Sequence, residues 1–155
     1  MTGRISQKLQ ELGITLPTPA VPQGAYIPWV VTGSLLFISG QITMGPNGLE
    51  YVGTVGQNIS LDEGKRAARL CGLNLLAQAA AALHGDLDRV KRVVKLTGFV
   101  NAAPGFTQHP EVVNGASDLM AEIFGEAGRH ARAAVGVSSL PRNVAVEVEA
   151  VFEIA

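Results

Sequence analysis

Arg132 lies in the stretch HARAAVGVSSLPRN, where nearly every neighbour is small or apolar. A guanidinium keeps its charge at any ordinary pH, so burying it without an anion or a set of acceptors is costly. In an extended strand Arg132, Ala134, Gly136 and Ser138 share one face, and Ala131, Ala133, Val135 and Val137 share the other. One long basic side chain among small residues leaves room for a ligand. Two readings follow: a pocket in which the planar fork grips a carboxylate, or an internal salt bridge to Glu147 or Glu149.

The other reactive residue types are sparse. Cys71 is the single cysteine, which excludes an intramolecular disulfide. It sits in an apolar helical run with no histidine beside it, so it reads as a small hydrophobe rather than a nucleophile. His84, His109 and His130 lack metal-ligand spacing, and no metal or other cofactor is expected. His109 and His130 are candidates to approach the site through folding, though neither is assigned as a general base. The GTVGQN segment lacks the full pattern of a phosphate or dinucleotide loop, and PNG reads as turn chemistry.

Composition narrows the function classes. The chain has 155 residues, 16% charged, with a formal net charge of −1. That balance gives no general attraction to nucleic acid, whose binding rests on several phosphate contacts. Nothing resembles a signal peptide, and no apolar run reaches the length of a membrane span, so a cytoplasmic protein is the default expectation. The low charge content suggests a surface partly covered by self-association.

The elements that must position Arg132 follow from periodicity. Residues 4–12 form a short amphipathic helix stopped at Gly13, followed by a proline-rich extended arm. Strands are expected at Trp29–Thr32 and Leu35–Ile42, with a further short one at Leu49–Val52. Ser60 and Glu63 make a capping box for a helix over Leu61–Leu83. Its packing face is expected to comprise Leu70, Leu73, Asn74, Ala77, Ala80 and Ala81. A strand over Val90–Val100 precedes a helix at Pro110–Phe124, with Gly125 at its end. Two final strands, His130–Ser138 and Asn143–Ile154, are joined around Leu140–Pro141. In the last, Val144, Val146, Val148, Ala150, Phe152 and Ile154 share a face for the helices to cover; Glu147, Glu149 and Glu153 point the other way. The result is an α+β protomer with two main helices over one mixed sheet. Residues 1–19 read as an N-terminal helix and arm, and residues 20–155 as one domain.

The segments YIPWVVTGSLLFISGQI, the helix after LDEG, DLDRVKRVVKLTGFVN and ARAAVGVSSLPRNVAVEVEA, in this order and spacing, resemble the RidA/YjgF family over about residues 20–155. The N-terminal helix and LPTPA segment look like a longer variant. The resemblance implies a homotrimer with a chorismate-mutase-like arrangement and ligand clefts between subunits. It also implies hydrolysis of small 2-enamine and 2-imino acids to 2-keto acids and ammonia. The family's carboxylate-binding arginine falls on Arg132, its acidic residue on Glu147 in VEVEA, its tyrosine on Tyr26, its SGQ serine on Ser39 and its pocket asparagine on Asn114. Glu147 either orients water and exchanges protons or holds the guanidinium. Tyr26 either bonds the substrate or closes the cleft; taken without the family it is a boundary residue. The chain departs from the pattern before the arginine strand, where Arg129–His130 replaces a customary proline, and in the longer Asn101–Pro110 loop. Two other readings accompany this one: a non-catalytic trimer that binds small carboxylate metabolites, and an endoribonuclease.

Overall fold

Ser60 ends an extended connection and starts the longest helix by a reciprocal cap. Its hydroxyl accepts the Glu63 N–H at 3.1 Å, and the Glu63 carboxylate accepts the Ser60 N–H at 3.0 Å. The computed structural model describes residues 3–155. In chain order the elements are α1 (Arg4–Glu11), β1 (Trp29–Thr32), β2 (Leu35–Gln41), β3 (Met44–Gly45), β4 (Gly48–Leu49), α2 (Leu61–Ala82), β5 (Val90–Asn101), α3 (His109–Phe124), β6 (Ala131–Val137) and β7 (Val146–Ile154). This is the expected α+β arrangement of helices on one mixed sheet.

The main sheet runs β1-β2-β7-β5-β6, while β3 and β4 form a separate small ribbon. Only the β5–β6 pair is parallel, with α3 as its crossover. The last strand, β7, lies between β2 and β5 and is antiparallel to both. Thus β6 and β7 follow one another in sequence without pairing, and β6 is left at the sheet edge.

The valine-rich face of β7 is the one the helices cover. Val146, Val148, Ala150, Phe152 and Ile154 are buried with Leu36 and Ile38 of β2 and Val93, Leu96 and Val100 of β5. Gly98 lets α3 lie close to this layer, because a Cβ there would run into the Val113 side chain. Gly115 does the same between helices, where a Cβ would strike the Lys65 carbonyl of α2. Ile5 and Leu9 of α1 join the same core. The first free N–H groups of α1 are taken by Asp88, which accepts from Arg4 at 2.9 Å and Ile5 at 2.8 Å.

Three local expectations change. Of the expected α2 face Asn74 and Ala77 are buried, but the buried stripe runs mainly through Gly64, Ala67, Ala68, Cys71, Leu75 and Ala79, whereas Leu70, Leu73, Ala80 and Ala81 are only half-buried. An alanine-rich helix has weak contrast between its faces, so small residues do not by themselves mark the packing side. The segment expected as one strand at Leu49–Val52 is split: Leu49 pairs in the Gly48–Leu49 ribbon and Val52 makes an isolated antiparallel bridge to Val144, with Tyr51 at φ 51° breaking the extension between them. β7 begins at Val146 rather than Asn143, because Pro141–Asn143 makes a 3-10 turn with Arg142 and Asn143 at φ 55° and 60°.

The sheet face away from the helices is open in the protomer. Val30, Phe37, Val151 and Lys95 form a row of cross-strand neighbours over it. Val30 is 48% exposed, Phe37 42% and, on the edge strand, Val135 44%, an apolar surface that association would cover.

Candidate functional site

Arg132 extends from β6 toward α3. Its Nη1 donates to Asn114 Oδ1 at 2.8 Å and to Ser117 Oγ at 3.2 Å. Asn114 and Ser117 are three residues apart on α3, so their side chains emerge on one face of that helix. Both hydrogen bonds to described residues use Nη1. The Nε–Nη2 edge, which carries two parallel N–H groups, is left for another acceptor.

The internal ion pair is not formed within the protomer. Glu147 is registered opposite Phe99 of β5, between Val146 and Val148, which are both buried beneath the helices; its side chain therefore projects from the other face. Among the described residues the ion pairs are Arg69–Glu122 at 3.4 Å and Arg129–Glu126 at 3.9 Å. Arg132 is satisfied by neutral acceptors, which lower the cost of its partial burial without cancelling its charge.

Ser117 also meets His130 Nε2 at 2.8 Å, and His130 Nδ1 meets the Gly128 carbonyl at 2.7 Å. The His130 pKa is lowered, chiefly by burial and further by the charge of Arg132, while the Gly128 hydrogen bond acts in the opposite sense. His109 packs edge-on against Phe106 at 5.4 Å and close to Gly136, farther along β6.

Tyr26, Ser39 and Glu147 come together elsewhere, around a cavity of about 470 Å³ near the ends of β1 and β2. Pro28, Gly40 and Arg142 also line it, with Gln41, Asn74 and Gln78 contributing amides. The Glu147 carboxylate lies directly against Gly40, where a Cβ would displace it from this position. Burial raises the Glu147 pKa above the ordinary glutamate value, and the like charge of Glu149 adds to the effect. Tyr26 accepts the Gln23 N–H at 3.3 Å, and Arg142 Nη2 donates to Gln23 Oε1 at 3.3 Å, so the arm and the turn before β7 are tied together.

The structure thus brings Arg132 to Asn114, and Tyr26 to Ser39 and Glu147, but keeps the two groups apart within one protomer. Between β2 and β6 lie β7 and β5, three interstrand steps or roughly 14 Å.

Sequence reasoning missed Ser117, Gln78 and Arg142 as members of these groups. Gln78 had a legible signal. With Asn74 it forms an i, i+4 pair of amides in an otherwise alanine–leucine helix. Asn74 donates to the Ile42 and Met44 carbonyls, and Gln78 to Ala20, at 3.0–3.1 Å. The Arg142 position depends on a left-handed turn, which a Leu-Pro-Arg-Asn string does not announce.

Cys71 is fully buried; its thiol points at the Val146 carbonyl, and burial pushes its pKa far upward. That environment withholds the reactive thiolate. Among the described residues no helix is long and apolar enough to cross a membrane.

The family model described as "YjgF/chorismate mutase-like, putative endoribonuclease" matches residues 6–154. Protein TCP17 of Trypanosoma cruzi is 50% identical over 154 residues, spanning 99% of this chain and 96% of that protein. A 2-iminobutanoate/2-iminopropanoate deaminase of Dermatophagoides farinae is 31% identical over 142 residues, spanning 90% and 94%. The crystal structure of protein Atu1372 from Agrobacterium tumefaciens, described as of unknown function, superposes with a TM-score of 0.90 at 47% identity, covering 98% of this chain and 94% of that one.

Proposed function

The chain belongs to the YjgF/RidA family, and from that premise we propose that it hydrolyses small 2-imino acids, and their enamine tautomers, to 2-keto acids and ammonia in the cytoplasm. The working unit is a cyclic homotrimer. Arg132 and Asn114 of one subunit face Tyr26, Ser39 and Glu147 of the next. The edge position of β6, the uncovered apolar row on the sheet and the separation of the two residue groups within a protomer support this assembly.

In this reading Arg132 holds the substrate carboxylate through Nε and Nη2, while Asn114 and Ser117 fix Nη1. The clamp sets the imine carbon beside a water molecule. Water adds to that carbon, one of its protons passes by way of Glu147 toward the imine nitrogen, and a carbinolamine forms. The hydroxyl proton then passes to the amine nitrogen, the C–N bond breaks as the carbonyl forms, and ammonia departs, leaving the 2-keto acid. Glu147 suits the proton transfer because its raised pKa brings it closer to neutrality than an exposed glutamate. Tyr26 and Ser39 supply hydroxyls at the cleft wall. The observation that carries the reading is the unoccupied Nε–Nη2 edge of a guanidinium already held at its other nitrogen.

Generating several 2-imino acids in place with an amino-acid dehydratase tests it directly. The expected result is 2-keto acid release above the spontaneous rate, lost in Arg132→Ala. Absence of acceleration by a folded wild-type trimer that still binds the keto acid would leave a carboxylate-binding trimer as the function.

A further inference from the structure

His130 lies two residues before Arg132 and reaches the same helix-facing side, where Ser117 separates the imidazole from the guanidinium. The Gly128 carbonyl can only accept, so His130 Nδ1 carries a proton. In the neutral ring Nε2 is then the acceptor, and Ser117 must donate its O–H to it. The serine oxygen in turn accepts Arg132 Nη1–H. The bonds therefore run in one direction, from Arg132 to Ser117 to His130, and the ring hands its remaining N–H to Gly128. Asn114 holds the same Nη1 from a second side.

We propose that His130 and Ser117 are positioning residues for Arg132, and that carboxylate binding at the guanidinium is coupled to protonation of His130. The coupling rests on the carboxylate-clamp reading above; the serine–histidine geometry does not. Protonation of His130 turns Nε2 into a donor. The Ser117 hydrogen must then swing away, and two cations stand on either side of one hydroxyl. A carboxylate on Arg132 relieves that repulsion. Binding therefore raises the His130 pKa, and by linkage the affinity for the anion rises as pH falls through it.

The surroundings of His130 isolate this effect. α3 presents Ser117, the 3-10 turn Gly125–Gly128 that follows it presents the Gly128 carbonyl, and β6 presents Arg132, whose charge bears on the ring. Asp118 and Glu122 of α3 are exposed, as is Glu126 of the turn, which is engaged with Arg129. Opposite charges about 8 Å apart in a largely aqueous dielectric shift a pKa by about half a unit, or roughly threefold in affinity between the two pH plateaus.

The test uses the full chain labelled with ¹⁵N-histidine, titrated by NMR from acid to mildly alkaline pH with and without pyruvate. His130→Gln identifies the resonance, and calorimetry follows pyruvate affinity over the same range. The expected results are a neutral ring protonated at Nδ1, an upward shift of about half a unit on saturation, and a matching threefold affinity gain at low pH. Ser117→Ala should remove the coupling, and Ser117→Thr, which keeps the hydroxyl, should restore it. Pyruvate bound through Arg132 with an unmoved His130 titration overturns the coupling and leaves the clamp standing. No pyruvate binding by the wild type overturns the clamp and the coupling with it. A neutral ring protonated at Nε2 overturns the positioning role whatever the ligand does. Should the serine variants fail to fold, the wild-type titration alone decides.

Discussion

Arg132 and Glu147 project from opposite faces of the same sheet, Arg132 toward α3 and Glu147 away from the helices, with β5 between their strands. A site that uses both must therefore be completed by a second copy. Mixing Arg132→Ala and Glu147→Gln subunits, each of low activity alone, should raise activity well above that of either parent. Random reassortment in a cyclic trimer gives about a quarter of sites one intact residue from each side. Co-refolded variants assayed for imine hydrolysis check this. Mixtures no more active than either parent, despite confirmed subunit exchange, would argue for a site within one protomer.

Arg132→Lys should not rescue the clamp. Lysine keeps the charge but has no planar fork with which to meet both Asn114 and a carboxylate. The expected fall in kcat/KM is at least about tenfold, corresponding to roughly 1.4 kcal/mol of lost transition-state stabilisation. Cys71→Ser, corrected for folding, should lose less, because the buried thiol offers no reactive thiolate.

The acid limb of the rate profile should belong to Glu147. Its pKa is raised by burial and by Glu149, so on lowering the pH the carboxylate is lost above the ordinary value of 4.5. Activity that needs the carboxylate to accept a proton from water therefore falls as pH drops through that raised value. Glu147→Gln should give a low rate with this limb missing. A wild-type-like limb in that variant would move the assignment to another group.

Gly98→Ala should destabilise the protein although alanine is the gentlest of additions. The new methyl would meet Val113 Cγ1 at 2.7 Å, so α3 must move away from β5. Overpacking of this kind costs about 1–3 kcal/mol, readable as a lower urea midpoint with an unchanged slope. Because Val113 adjoins Asn114, the same displacement should weaken pyruvate binding.

The long elements were legible because their signals agree. The capping box, the alternation of β7 and the proline and glycine at the ends of α3 each combine composition with spacing. The α2 packing face was legible only at Asn74 and Ala77, because alanine satisfies either side of a helix, and only tertiary contact decides which side is dry. Arg132 was legible as an anomaly of charge among small residues. Its tie to Ser117 was not, since α3 and β6 meet only through the parallel β5–β6 crossover. The position of Glu147 relative to Arg132 was hidden for a related reason: strands adjacent in sequence invite a hairpin, and here β5 intervenes.

The central position of β7 governs the order in which this protein can be built. As the chain emerges from the ribosome, β1–β2 and β5–α3–β6 appear as two incomplete sheets, each with a bare inner edge. Neither edge finds its partner until β7 is released, and that strand must satisfy both at once. Cooperative closure is thereby postponed until β7 has emerged, and until then two sticky flanks are open to wrong pairings with other nascent chains. A lesion in β7 strikes the keystone of the sheet, whereas the same lesion in β1 frays only its rim.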